Sequence, residues 1–534
     1  MQTAGPTFIK LAQWAASRAD LFPSALCERM GALHSRGKPH SLEHTKKVIA
    51  KVFQRPFDQV FEYFDETPIG TGAIAQVYRA VLKQDLIPPS YLGPRRHRKS
   101  PAAAISPVIL DDPPPSIPTA AVAIKVIHPR AYKTIARDLC IMSGFAHFIT
   151  MFPGMQWLSL PEEVEVFGDM MFQQLDLRNE ADNLITFEHN FASRKVPVTF
   201  PRPLKEFTTK ELLVEEYENA LPLENVLKYG GGPFDQQIAT VGLNAFLNML
   251  LLDNFVHSDL HPGNIMIKFT KPPSTSYLLK NLWLTIKHSF TSNSDSEAPA
   301  FVLPPDYSES DSIVERLMQI PGENVDAWER ELTSLHSAGY IPELIFIDAG
   351  LVTTLSATNR TNFLDLFKSL AEFDGYRTGQ LMIERCRTPE LATDPETFAL
   401  KMQHLVLSVK RKTFSLGHIK ISDILQQVLL AVRQHHVKME GDFINTVISV
   451  LLLEGIGRRL DPELDLFKSA LPILRQLGGQ MAKREQMKDL QALPKSNLGA
   501  ILKIWVWMEA RQFISASIVN ADEMIRYDWL APNV

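Results

Sequence analysis

The chain has 534 residues, 45% of them apolar and 22% charged, with 55 Lys plus Arg against 60 Asp plus Glu and a formal net charge of −5. That balance is the one found in ordinary globular proteins, and it gives no global reason to expect nucleic acid as a partner. Cys27, Cys140 and Cys386 stand too far apart in sequence for a disulfide framework or a zinc ribbon, which points to a reducing interior.

Residues 5–62 read as helical. FIKLAQWAASRADLF puts Phe8, Leu11 and Ala15 on one face before Pro23 stops it, and SLEHTKKVIAKVF starts from a Ser cap with the same period. TPIGTGAIAQVYRAVLK, residues 67–83, predicts a strand, a tight glycine loop and a second strand. Residues 84–120 are rich in Pro and basic side chains without a sustained period, which predicts a disordered or poorly ordered insertion. TAAVAIKVIHP is a short apolar strand, and 130–195 has helical spacing. FPRPLKEFTTKELLVEEY predicts two strands around a turn, and FDQQIATVGLNAFLNMLLLDNF a long apolar helix. The stretch 270–340 contains a Ser/Pro/acidic run and reads as a low-complexity insertion, ELIFIDAGLV as a buried strand, and nearly everything after 356 as helix.

The fold class expected is therefore α+β, with a small mixed lobe and a larger helical one. The expected divisions are a helical extension over 1–66, a mixed lobe over 67–220 and a helical lobe over 221–534. No window approaches the ~18 uninterrupted apolar residues of a membrane span. AILKIWVWMEARQFI is broken by Lys503, Glu509 and Arg511 and reads as an amphipathic helix packed on a core, with Trp505 and Trp507 leaving a peripheral membrane contact open. The start, MQTAGPTFIKLAQ, shows no signal peptide and no Arg/Ser-rich transit segment, so either the import signal is unusual or an upstream extension is missing.

Four motifs carry chemistry. GTGAIAQV, Gly70 to Val77, matches G-x-G-x-x-G-x-V except that Ala75 stands at the third glycine; its glycines let backbone approach phosphates, and the turn is expected to need unusual φ values. VAIK ends a buried strand at Lys125, whose stem lies among apolar neighbours while its charge faces a cleft, where it suits phosphates and a helix carboxylate. HSDLHPGN carries His257, Asp259 and Asn264 with the spacing of the kinase loop H-R-D-L-x-x-x-N, Ser258 replacing the arginine. FIDAGL places Asp348 as in D-F-G, with alanine for phenylalanine. Each has a bland reading as a hairpin, a solvated lysine or a polar turn; in this order they form the set of a protein-kinase-like site. Among Asp176, Glu180, Asp182 and Glu188, Glu180 is chosen to pair with Lys125, from a mid-helix position with Asn183 nearby. HSLEH, His40 to His44, fits a zinc-protease pattern, but Pro39 and Ser41 put His40 outside the helix, so a surface position is expected. RRHRK, residues 95–99, reads as solvated loop.

With these residues the chain resembles the UbiB, or aarF-domain-containing, family of atypical kinases, and within it the second, animal-and-fungal mitochondrial branch. GPTFIKLAQWAASRADLFP resembles the family's K-x-G-Q segment through Lys10 and Gln13, with Ala12 at the glycine. EADN resembles its E-A-x-N helix, EGIGRRLDP its C-lobe signature, and HSDLHPGN matches H-x-D-x-H-P-G-N throughout. Gly70 and Gly72 depart from the alanine-rich nucleotide loop of most members, and Gln174 replaces the glutamate of an E-x-D pair of which Asp176 remains. The resemblance implies a two-lobed protein-kinase-like fold with the N-terminal helices across the site, and mitochondrial location in support of ubiquinone or lipid metabolism. It implies Mg²⁺ and ATP binding, with slow hydrolysis or small-molecule phosphotransfer. Lys125 would hold the α/β-phosphates and Glu180 would hold Lys125. Gly70, Gly72 and Val77 would cover the nucleotide, Asp259 would position the nucleophile, and Asn264 and Asp348 would bind the metal. Lys10, Gln13, Gln174 and Asp176 would regulate access. A quinone-like or phospholipid ligand is the expected partner. The rival expectations are a pseudokinase scaffold that keeps ATP as a structural ligand and, third, a protein kinase.

Overall fold

The structure, a computed structural model, describes residues 5–18, 22, 24–31, 39–88, 91, 120–152, 158–192, 194, 196–271, 308–321, 324–356, 358–360, 362, 365, 366, 369, 374–414, 421–439 and 441–464. Helices α1 (Pro6–Ser17), α2 (Ser24–Gly31) and α3 (Leu42–Phe53) precede the first sheet. Its strands are β1 (Phe61–Phe64), β2 (Gly70–Thr71), β3 (Ala75–Leu82), β4 (Ala121–Ile127) and β6 (Leu212–Glu216). They run antiparallel in the order β1-β3-β4-β6, with β2 paired to the free end of β3. Alternation along β4 sends Val122, Ile124 and Val126 into one core with Tyr78, Val214 and the α3 residues Val48 and Ile49. The opposite face, with Ala123 and Lys125, looks toward the second lobe.

Three helices follow β4: α4 (Ala131–Thr150), α5 (Leu160–Gln174) and α6 (Leu177–Phe191). Helix α6 joins the lobes. Leu177 and Ala181 pack with Ile74 of the glycine turn and Phe167 of α5, whereas Leu184, Phe187 and Phe191 enter the core of the second lobe. There Phe187 stacks on Phe200 at 4.9 Å. Each such buried phenylalanine contributes about 2–3 kcal/mol.

The second lobe holds β5 (Val198–Thr199), β7 (Leu221–Pro222), α7 (Leu223–Tyr229), α8 (Asp235–Leu247), β8 (Val256–His257), β9 (Ile265–Thr270), α9 (Ser308–Gln319), α10 (Val325–Ser337), β10 (Ile341–Phe346) and β11 (Val352–Thr353). Its sheet has the order β5-β10-β9-β7, and β8 pairs with β11. Helices α11 (Gly375–Glu384), α12 (Pro395–Phe414), α13 (Ile421–Gln434) and α14 (Gly441–Leu460) complete the described lobe. The three cysteines are free.

Several elements differ from the sequence reading. Phe61–Phe64 is a strand, not the end of a helical run, because its aromatic side chains pack on Phe53 and Phe57. The 84–120 segment begins ordered: Leu86 and Tyr91 are buried in the first-lobe core, and Arg202 Nη1 donates to Tyr91 O at 2.8 Å. Most of the remainder, RRHRK included, lies outside the described residues, as does AILKIWVWMEARQFI. The 270–340 segment is not uniformly of low complexity, since α9 and α10 bury Ile313, Leu317, Trp328 and Leu332. FPRPLKEF forms no strand; Pro201 and Pro203 lack the N–H a ladder needs, and only an isolated bridge joins Pro203 to Glu215. The long apolar helix is α-helical only to Leu247 and continues as a π-helix over Asn248–Asp253.

Candidate active site

Lys125 leaves β4 on the cleft face, opposite Val77 on β3 and Leu213 on β6. Helix α6 starts at Asp176, whose side chain accepts from the Arg178 backbone N–H, so Glu180 lies in the first turn rather than in mid-helix. The continuous helical spacing of 130–195 hides this break. The Lys125 ammonium stands 2.8 and 2.9 Å from the two Glu180 oxygens and 3.2 Å from Asp348 Oδ2. Asp348 follows β10 with a left-handed φ of 59°, which aspartate tolerates better than most residues. Asn183, three residues beyond Glu180, donates from Nδ2 to Ala349 O at 2.8 Å. The EADN helix therefore holds both the lysine and the backbone of the D-A-G turn.

The charges of this cluster depend on one another. Burial works against the charge on Lys125, but Asp348 and Glu180 outweigh it and hold the ammonium above the usual lysine range. Burial pushes Glu180 up against the pull of Lys125. Desolvation likewise opposes ionisation of Asp348, yet Lys125, with Lys10 behind it, keeps that carboxyl well below the ordinary range. Asp348 lies deep between the lobes while its side chain stays 43% exposed to the open cleft, so it is both ionised and accessible.

The HSDLHPGN loop is braced from both sides. His257 is fully buried beside Phe187, and burial lowers its affinity for a proton. Its neutral Nδ1 accepts from the Asp259 N–H at 3.3 Å. Asn264 donates from Nδ2 to Asp259 O at 3.1 Å, which leaves Oδ1 as the atom able to face a cation. Asn264 O accepts from Ile347 N at 3.0 Å, so Asn264 and Asp348 come from the same end of the β9–β10 ribbon. Ser258 Oγ donates to Thr353 Oγ1 at 2.6 Å and ties the loop to β11. From α1, Lys10 Nζ reaches to 3.7 Å of Asp259 Oδ2. Gln13 is half-buried one turn along that helix. Gln174 ends α5, and the Asp176 carboxylate is engaged by Arg178 at 2.7 and 2.9 Å, not by Lys125.

Gly70 sits opposite Val77, and Gly72 N donates to Ala75 O at 2.8 Å. Neither glycine has a positive φ, contrary to the expectation for this turn; a Cβ at Gly70 would meet nothing within 4 Å. The turn is held instead by two histidines. His128 Nε2 donates to Gly72 O at 3.1 Å, and His40 Nδ1 lies 2.7 Å from His128 Nδ1. His40 is outside its helix, as expected, but half-buried in this pair rather than on the surface. One ring must donate and the other accept across 2.7 Å, which requires a neutral acceptor. Burial, with His128 second, lowers His40 to about 4.

Residues 32–86 and 118–281 match the ABC1 atypical kinase-like domain, and 412–465 the UbiB helical domain. Mitochondrial ABC1 family proteins of Schizosaccharomyces pombe and Saccharomyces cerevisiae are each 40% identical over the whole of this chain, which spans 71% and 74% of their lengths. The chain belongs to the ABC1 atypical kinase family. A Shewanella protein named as a probable protein kinase UbiB is 24% identical over 89% of this chain and 68% of its own. A solved erythromycin complex from Mycobacterium tuberculosis overlaps 83% of each chain at 14% identity and a TM-score of 0.45. Local spacing pointed to every acid around Lys125 except Glu215, a buried residue on β6. The His40–His128 pair was equally hidden, since 88 residues separate its members. Among the described residues no helix is long and apolar enough to cross a membrane.

Proposed function

We propose that this ABC1 kinase is a mitochondrial, Mg²⁺-dependent phosphotransferase or ATPase whose acceptor is a small molecule or water, in support of ubiquinone or lipid metabolism. One observation carries the reading: a single ammonium, Lys125, is shared between a helix carboxylate and the accessible Asp348, with Asp259 and Asn264 on the adjoining loop. Lys125 holds the α/β-phosphates, and Glu180 keeps its side chain extended into the cleft. Asp348 and the Asn264 Oδ1 would hold Mg²⁺, which, when bound, supplies charge neutralisation on the phosphates; two protein ligands suit an ion that takes the others from phosphate and water. Asp259 accepts the proton of the attacking hydroxyl as its oxygen bonds to the γ-phosphorus and ADP departs. The location rests on the two yeast relatives, and the metabolic role on the resemblance to UbiB.

The scaffold reading has one observation in its favour, the Lys10 ammonium on Asp259. Nucleotide turnover separates the two. Asp259→Asn is expected to lower kcat about 10²- to 10⁴-fold while Mg-ATP still raises the melting temperature. Asp348→Asn is expected to abolish that Mg²⁺-dependent rise. Equal turnover in wild type and Asp259→Asn would favour the scaffold, and unchanged Mg-ATP stabilisation of Asp348→Asn would overturn the site.

A further inference from the structure

His40 stands just before the Ser41 cap of α3, and His128 just after β4, three residues beyond Lys125. Both reach the glycine turn. His128 holds it twice: its backbone N–H donates to Ile74 O at 2.8 Å, and its ring to Gly72 O at 3.1 Å. His40 is held in turn by Gln76, a fully buried residue of β3. Gln76 Oε1 accepts from His40 N at 3.0 Å, and Gln76 Nε2 donates to His40 O at 3.3 Å and to Tyr78 Oη. One amide thereby fixes the backbone of His40 against the strand that leaves the turn.

The hydrogen bonds also fix both tautomers. Burial lowers the proton affinity of each ring, so both are neutral at pH 7. His128 uses its one N–H on Gly72 O, so its Nδ1 accepts. His40 Nδ1, 2.7 Å away, then donates to it, and His40 Nε2 accepts from the Thr45 hydroxyl at 2.9 Å. His44 brings a third ring to 4.9 Å from that of His40. The three do not form a metal site, because 2.7 Å is the spacing of a hydrogen bond; two nitrogens on one tetrahedral zinc stand about 3.3 Å apart. The cluster is a hydrogen-bonded chain from buried Thr45 on α3 to one backbone carbonyl of the turn.

That carbonyl matters because of the peptide it belongs to. The 72–73 peptide is trans, so Ala73 N–H points opposite to Gly72 O, away from His128. Ala73 is buried, and its N–H has no acceptor among the described residues. A buried amide without a partner is uncommon and suits an acceptor brought by a ligand. We propose that His128 and His40 are positioning residues for the phosphates: acting in series, they hold the Gly72 carbonyl and so keep the Ala73 N–H directed to a phosphate oxygen. This inference rests on reading the cleft as a nucleotide site, and its test keeps the two apart.

The test measures Kd for Mg-ATP and the steady-state KM and kcat of the full chain, beside the melting temperature of each variant. His128→Ala is expected to raise Kd and KM about 5- to 30-fold, the effect of one hydrogen bond lost to a buried carbonyl, with kcat at saturation within about twofold of wild type. His128→Gln, whose amide nitrogen lies near the place of Nε2, should recover most of that loss. His40→Ala should act in the same direction and more weakly, since His128 keeps its bond to Gly72 without support. The double alanine variant should bind no more weakly than His128→Ala alone, as required of groups in series. A role in packing alone would lower the melting temperature without moving Kd. Unchanged affinity in folded His128→Ala, equal losses in His128→Gln and His128→Ala, or a fall in kcat at constant KM overturns the proposal. If His128→Ala does not fold, His40→Ala decides, and wild-type affinity there overturns it. Additive losses in the double variant overturn the arrangement in series. Failure of wild type to bind Mg-ATP overturns the nucleotide site itself and this inference with it.

Discussion

Two clusters of buried charge in this chain are built on opposite balances. Around Lys125 stand three acids, Glu180, Asp348 and Glu215. Behind the N-terminal helix, Arg18 pairs with Glu163 at 2.6 Å, Lys438 reaches Glu163 and Glu162 at 3.4 Å, and Arg387 reaches Glu162 at 3.5 Å. Side-chain exposures of 2% for Arg18, 5% for Glu163 and 1% for Lys438 show that the core of this second cluster is sealed. It fastens the end of α1 to α5 and to the loop before α14. Each charged group named in it has a partner of opposite sign within 3.5 Å. The cleft cluster has more acid than cation and an open side, as expected of a place completed by cations and hydrogen-bond donors from outside. Buried charge alone therefore does not mark a site; an excess of acid on an open side does.

Neutralising one acid should then act with opposite sign in the two places. Glu163→Gln leaves Arg18 and Lys438 with an uncompensated buried charge and is expected to lower the unfolding free energy by about 3–5 kcal/mol in chemical denaturation. A wild-type transition midpoint would erase the distinction. Glu215→Gln is expected to raise stability by about 1–3 kcal/mol at pH 8 and above. The Glu215 carboxyl titrates at about 8 in the folded chain against an ordinary 4.5, so between those values the folded state keeps a proton that the unfolded state has released. Native stability from this group is present below pH 4.5 and declines as pH rises through 8; the variant removes that decline. Parallel pH profiles for the two proteins would contradict this.

The histidine clamp on the glycine turn sharpens the comparison from the acid side. His40 is lowered from 6.5 to about 4, so its contribution is complete above pH 6.5 and is lost as pH falls toward 4, where the unfolded chain gains the proton first. The melting temperature should fall across that window and fall less in His40→Gln; identical slopes would remove the clamp from the argument. The smallest effect concerns Lys10, which shares Asp259 across 3.7 Å in a partly exposed pair. Lys10→Met should raise kcat by no more than about fivefold, the worth of one screened ion pair. A fall in kcat would mean that Lys10 serves the reaction instead of restraining it.

Much of the cleft was legible because its groups sit in local patterns. Lys125 ends an apolar strand, Asp259 and Asn264 flank a Pro-Gly break, and Asp348 follows a buried strand, so each position follows from the residues beside it. Glu180 was found by its chemistry and misplaced by one helix boundary, because the cap at Asp176 interrupts a pattern that is helical on both sides. Phe61–Phe64 escaped because four residues after a helical run carry too short a period to read, and their partner in β3 starts 11 residues later. Glu215 escaped for a different reason. EEYE has the composition of a solvated turn, and Glu215 is buried because the ladder sets it between Ala123 and Pro203.

The sequence by itself determined the class of the fold, the order of its motifs and the identity of most of the charged groups that line the cleft, since these depend on spacing within a few residues. The tertiary structure alone decided which charges are shared and which are left over. It brought Lys10 to Asp259, His40 to His128, Arg18 to Glu163 and Glu215 onto the face of Lys125. Those pairings join residues far apart in the chain, and a carboxylate's burial, and with it its affinity for a proton, is set by whatever packs against it rather than by its neighbours in sequence.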